Sequence, residues 1–259
     1  MSARDAGARG GSTPPASLEK FSFFITSLRA MQVHSKSQDG FGGDLRFGET
    51  GEGAGLRGAD KLCATIAEES MPGARAKNWR AFLSATKGGA NGGPVHAIDR
   101  IGSGPWYDRV GRLVARDKTG LAQVRPAGAD AQIVNDLPNE DGVPNQSPDG
   151  VPVDNHHILT GSGPTGQLYR NDVRATCGDW TRANRDTADA PRVGLSWPRG
   201  GGGGRGGGNA GASHWISAMD ESGCAPGINL TQRGGPVASN PTVGSGGGYG
   251  AIYCFALTP

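Results

Sequence analysis

Residues Asp154-Asn155-His156-His157 put a carboxylate, a carboxamide and two imidazoles in four consecutive positions. Such a set could hold a transition metal, and a water activated by that metal would make the chain a hydrolase. Adjacent side chains on a strand leave on opposite faces, however, so His156 and His157 are not expected to reach one ion together. The plainer expectation is one ring turned inward and hydrogen-bonded. No Gly-x-Ser-x-Gly elbow and no His-Glu-x-x-His helix offers another catalytic set.

Between Arg125 and Arg170 the chain carries Asp130, Asp136, Glu140, Asp141, Asp149 and Asp154 without a single Lys or Arg. Asp136, Asn139, Glu140, Asp141 and Asp154 are hard oxygen ligands of the kind calcium takes, although their spacing is not that of an EF-hand. A solvated acidic loop explains the same residues without an ion. Calcium is therefore the one candidate cofactor, and none is required. From Arg170 to Arg205 the balance reverses, to seven arginines against four aspartates. These could hold sulfated or uronic glycans through charge-assisted forks, or simply form a wet face.

Trp106, Tyr107, Trp180, Trp197 and Trp215 offer ring faces on which a sugar could stack. With only 6% aromatic residues, most of them are needed as core. Trp79 and Trp180 are expected inside, and at most Trp197 or Trp215, beside the glycine-rich stretch that contains Arg205, is expected to face a ligand. The candidate ligand contacts are thus Trp197, Arg205, Trp215, Asp154, Asn155 and His156.

The elements that must position these residues are legible in part. Ala59, Leu62, Cys63, Ile66 and Ala67 recur at helical spacing, which predicts a helix opening near Gly58, with Asp60 in its first turn at the positive end of the dipole and Pro72-Gly73 as its stop. Trp79-Arg80-Ala81-Phe82-Leu83-Ser84 alternates as a strand. Phe21 to Ser27 reads as the first strand, Arg112 to Ala115 as a short one, and Ala251 to Leu257 as an apolar strand suited to the centre of a sheet. Gln38 to Gly55 reads as a surface loop that Phe41, Leu45 and Phe47 could tuck down. Gly200 to Gly211 reads as a long mobile loop, because a nucleotide-type glycine motif there lacks its strand and helix.

The chain has 259 residues, with 46 Gly and 17 Pro, and 26 basic against 24 acidic side chains. Near-neutrality argues against nucleic acid or a charged membrane surface as partner, and no apolar run is long enough to span a bilayer. Residues 1–17 have the composition of a disordered lead-in or linker, and 18–259 are expected to form a single loop-rich domain. Cys63, Cys177, Cys224 and Cys254 contain no Cys-x-x-Cys pair, so a metal knuckle is not expected, and their even count in a glycine-rich chain favours two disulfides over buried free thiols. Disulfides imply an extracellular, periplasmic or outer-surface location. The N-terminal residues show no apolar export segment, and a truncated or mis-started N-terminus is the expected reason.

Gly58-Ala59-Asp60 with Cys63, Trp79 to Ser84, Thr160-Gly161-Ser162 with Gly166, Thr176-Cys177-Gly178-Asp179-Trp180-Thr181, Ser222-Gly223-Cys224 and Tyr253-Cys254 occur in an order that resembles the collagen-derived endostatin domain, a divergent C-type-lectin-like fold. The chain is also similar to bacterial secreted, often lipoprotein-like, domains that carry the motif found here from Asp99 to Tyr107. The resemblance covers about residues 21–257 and implies the nested pairing Cys63–Cys254 and Cys177–Cys224. It does not carry a zinc site, since only His34 precedes the helix. Nor does it carry the lectin sugar site, since Ser147-Pro148-Asp149 lacks the first ligand and no Trp-Asn-Asp follows.

The expectation is an α+β, C-type-lectin-like (endostatin-like) mixed sheet with one or two helices, long glycine-rich loops and two nested disulfides. Its expected role is a non-enzymatic extracellular binding module that holds a cell-surface or matrix glycan or protein through residues 130–157 and 197–215. The alternatives are a metal-dependent hydrolase using Asp154, His156 and His157, and a purely structural adhesive surface domain.

Overall fold

The computed structural model describes residues 20–145, 155–196, 214–231 and 234–258. It is a mixed α+β fold with few helices, a mixed sheet and two disulfides. Strands β1 (Phe23–Ile25), β2 (Trp79–Ala81), β5 (His157–Leu159), β6 (Arg192–Leu195), β7 (Met219–Asp220) and β8 (Gly248–Ala256) make the main sheet, while β3 (Trp106–Tyr107) and β4 (Leu113–Ala115) form a separate hairpin. The path is β1-β8-β5-β6-β7, and β2 also pairs with β8. Only β5 and β8 run parallel. All nine residues of β8 are buried, as its unbroken apolar run requires of a strand with neighbours on both edges.

Two helices position the candidate site. Helix α1 (Leu28–Ser35) follows β1 directly and is capped by Ser27, whose Oγ accepts from Ala30 N at 3.1 Å. Helix α2 (Ala54–Ser70) lays Leu56, Ala59, Leu62, Cys63, Ile66 and Ala67 on the core. It starts four residues before the expected opening at Gly58, so Asp60 does not sit in the first turn. The Asp60 carboxylate instead leaves the side of the helix, accepting from Ala81 N at 2.9 Å and from Arg100 Nη2 at 2.7 and 2.8 Å. Burial raises the Asp60 carboxyl above its ordinary value in spite of that arginine. The segment before α2 is tucked down: Leu45 is fully buried, and Phe41 and Phe47 pack on the core.

Backbone crowding explains the glycines of α2. A Cβ on Gly58 would run into the carbonyl oxygens of Leu45 and Arg46, and one on Gly55 into those of Asp179 and Trp180. The second contact is with an unusual turn, because Cys177, Gly178, Asp179 and Trp180 all have positive φ (48°, 64°, 57° and 66°). Left-handed backbone costs each non-glycine residue about 1 kcal/mol. Around it, the Asp179 carboxylate accepts from Thr86 N and Oγ1 at 2.7 Å each and from Thr176 Oγ1 at 2.9 Å. Trp180 Nε1 donates to Ser84 O at 2.8 Å, and Cys177 is tied to Cys224.

The cysteines pair as Cys63–Cys254 and Cys177–Cys224, the nested arrangement. The first ties α2 to β8 across the core. Trp79, Trp106, Trp180 and Trp215 are all buried. Trp215 therefore does not face a ligand. Its ring meets Phe23 and Tyr253 edge-on, and its Nε1 donates to Leu121 O at 2.8 Å, so both its apolar area and its polar atom are used inside.

Candidate functional site

A cleft of about 450 Å³ opens between α1, the last turn of α2 and the loop 139–141. Ser27, Arg29, Ala30, Val33 and His34 come from the α1 side, Ile66, Glu69 and Ser70 from α2, and Asn139, Glu140 and Asp141 from the loop. The loop is held at three points. Ser27 donates to Glu140 through its backbone N at 2.9 Å and its hydroxyl at 2.5 Å, Ser70 Oγ donates to Glu140 O at 2.6 Å, and Asn139 Oδ1 accepts from Asp141 N and Val143 N at 3.0 Å each. The wall opposite is closed by His34 Nε2, 3.0 Å from Glu69 Oε2.

Glu140 is 7% exposed, and its removal from water pushes its carboxyl above the ordinary range, with the two Ser27 hydrogen bonds pulling the other way. Arg29 and Asp141 are different. Both are exposed, and neither side-chain charge has a hydrogen bond or ion pair among the described residues. Most other arginines are engaged: Arg46 with Asp44, Arg57 with Glu49, Arg100 with Asp60, Arg112 with Asp108, and Arg170 and Arg192 with Asp220.

Two of the residues expected to bind calcium, Asn139 and Glu140, hold the loop. Asn139 turns its carbonyl to two backbone amides and Glu140 gives both oxygens to Ser27. No group of three or more His, Cys, Asp or Glu side chains stands together in a way that could hold a metal ion among the described residues. Asp136, Asn139, Glu140 and Asp141 therefore form no preformed cage. Asp154, the fifth expected ligand, lies outside the described residues, as do Trp197, Arg205 and the glycine stretch 200–211.

Asn155, His156 and His157 have structural surroundings. Asn155 and Asn145 exchange amide-to-carbonyl hydrogen bonds at 2.7 and 2.9 Å. The two histidine rings do not diverge as side chains of a regular strand would. His156 precedes β5, the register against β8 slips at His157, and the rings meet edge to face with centroids 4.6 Å apart. His157 is buried with Nδ1 2.5 Å from Glu221 Oε1, and the Glu221 carboxylate also accepts from Gly246 N at 3.0 and 3.1 Å. His157 is thus the inward, hydrogen-bonded ring that was expected, but His156 is buried beside it and does not turn to the opposite face. The imidazole–carboxylate pair ties β5 to the residue after β7 and to the segment before β8.

The arginine-rich stretch is largely self-neutralised. Arg174 pairs with Asp172 at 2.7 Å and holds that exposed carboxyl down at about 2, and Arg182 reaches Asp189 at 3.3 Å. Sequence reasoning missed Glu221, the Asp60–Arg100 pair, the His34–Glu69 pair and the Ser27–Glu140 bonds. Only Ser27 carried a signal, as a hydroxyl residue directly before a helix.

No family model matches the chain, and no curated protein matches it.

Proposed function

We propose that the chain is an extracellular, non-enzymatic binding module of endostatin-like, C-type-lectin-like build, which holds a cell-surface or matrix partner in the cleft between α1, α2 and loop 139–141. The observation that carries this reading is the state of Arg29 and Asp141: two opposite charges on the lining of one cleft, each without a hydrogen bond or ion pair among the described residues, while the loop that carries Asp141 is tied to Ser27 and Ser70 and braced by Asn139. Fixed walls with free polar groups lower the ordering cost of binding. Two disulfides fit an oxidising compartment, and their pairing is the one the resemblance implies. No described helix is long and apolar enough to cross a membrane. The imidazole that a hydrolase reading needs at His157 is buried against Glu221.

The test is a glycan array and a matrix-protein panel probed with oxidised protein, alongside its metal content and the Arg29→Ala/Asp141→Ala variant. A specific hit weakened about tenfold in the variant, a loss of about 1.4 kcal/mol, supports the proposal. A hit that the variant leaves untouched moves the binding face elsewhere. Stoichiometric zinc together with hydrolytic turnover replaces the proposal by the hydrolase.

A further inference from the structure

Of the six large apolar side chains exposed among the described residues, Val33, Val110 and Val143 border the cleft loop. Val33, 60% exposed, lines the cleft itself. Val143 follows the loop at 54% exposure, and Val110, at 62%, stands so close to Gly142 that a Cβ there would lie 3.0 Å from its Cγ1. Scattered exposed valines need no explanation, but here Val33 lies in the cleft and Val110 and Val143 flank the loop that forms its other wall, so apolar area is offered beside charge.

The cleft's own chemistry narrows the partner. Its lining has no Phe, Tyr or Trp, and its one imidazole, His34, is set edge-on to Phe47 and engaged by Glu69, so a sugar would find no free ring face to stack on. Glu69 and Asp141, both exposed, face it against one arginine, while Glu140 is buried and given to Ser27, and His34 is engaged by one oxygen of Glu69. That excess of carboxylate suits a cation on a side chain with an aliphatic stem, which Val33 and Ala30 can cover while its head reaches Asp141. Arg29, with donors only, is left for the carbonyl oxygens of a peptide backbone.

We infer that the cleft and its valine rim dock an extended protein segment that carries a lysine or arginine beside an apolar side chain, the cation lying against Asp141 and Glu69 and the apolar neighbour against Val33. The inference rests on the binding-module reading and names its partner class.

The probe is a fluorescein-labelled Lys-Val-Lys-Val-Lys-Val peptide, with the same peptide carrying Glu for Lys and a glycan array as the other arms. The lysine peptide should bind, weaken with added salt, and weaken about tenfold in Asp141→Asn/Glu69→Gln and in Val33→Asp, while Glu52→Gln, at the other end of α2, leaves it unchanged. All these positions are exposed, and circular dichroism checks that the variants are folded. Equal affinity for the lysine and glutamate peptides, or equal weakening by Glu52→Gln, overturns the inference, since either means non-specific adhesion. A glycan hit that Asp141→Asn abolishes, with no peptide binding, overturns the protein partner and keeps the binding module. Binding of neither kind overturns both.

Discussion

Glu140 is pulled in two directions: the surrounding protein disfavours its charge, and Ser27 offers two donors to that charge. Desolvation prevails, so the folded state takes up a proton at a pH where the unfolded chain has already lost it. A raised folded value means that this group's contribution to stability is fully present below the ordinary glutamate range and is lost as pH rises through the raised value. The parent should therefore gain stability relative to Glu140→Gln as pH falls from neutrality through that window. Urea midpoints of the two proteins at a series of pH values check it. A constant difference would mean that the hydrogen bonds cancel the burial and that the carboxylate titrates normally. At this scale the sequence was only partly legible. The acidic run was visible, and oxygen ligands suggested calcium, but the hydrogen bonds that Glu140 accepts come from a serine 113 positions away, and no local pattern shows such a pairing. Asp60 misled for the same reason: a carboxylate near a helix start suits the dipole, yet its partners are Ala81 and Arg100.

Helix α2 shows how far periodicity reaches among the elements. The apolar stripe through Ala59, Leu62, Cys63, Ile66 and Ala67 was legible because a 3.6-residue period needs no tertiary information. The true start at Ala54 was not, since Gly55 and Gly58 argue against a helix by propensity and are there for close approach instead. Gly58→Ala separates the two influences. Alanine is better than glycine by about 1 kcal/mol in a helix interior, while a methyl forced against packed backbone costs about 1 to 3 kcal/mol. Because the obstructing atoms are the carbonyls of Leu45 and Arg46 and not a flexible side chain, a net loss of about 1 to 2 kcal/mol is expected. Denaturant unfolding measures it, and a gain would show that loop 45–46 can retreat. Strand β5 gives the complementary lesson. Alternation predicted diverging histidines, but His156 lies outside the strand, which begins at His157, and the two rings meet.

For the molecule as a whole, the central place of the last strand was readable from its apolar run, and the presence of disulfides from an even cysteine count. The pairing was not readable from spacing, because four cysteines allow three connectivities; it came from the resemblance. Cys177–Cys224 closes a separation of 47 residues, so Cys177→Ser/Cys224→Ser should lose about 4 kcal/mol in the chain-entropy account. The left-handed turn at 177–180 would lose one of its anchors in the same step. Peptide mapping without reduction should show Cys63–Cys254 intact in that variant. Free thiols at both positions would mean that the two bridges form interdependently.

The position of β8 has a bearing on how the chain is made. Strands β1, β2 and β5 all take their hydrogen bonds from residues 248–256, and Cys63 has its partner at Cys254. During synthesis β1 and β2 have no strand to pair with until the ribosome has released residue 256, whereas β5 can already pair with β6, and β6 with β7. Whatever handles the nascent chain before that moment, chaperone or export machinery, meets these first strands unpaired and Cys63 without its partner. Translation must pass β8 before the two parts of the sheet can be joined.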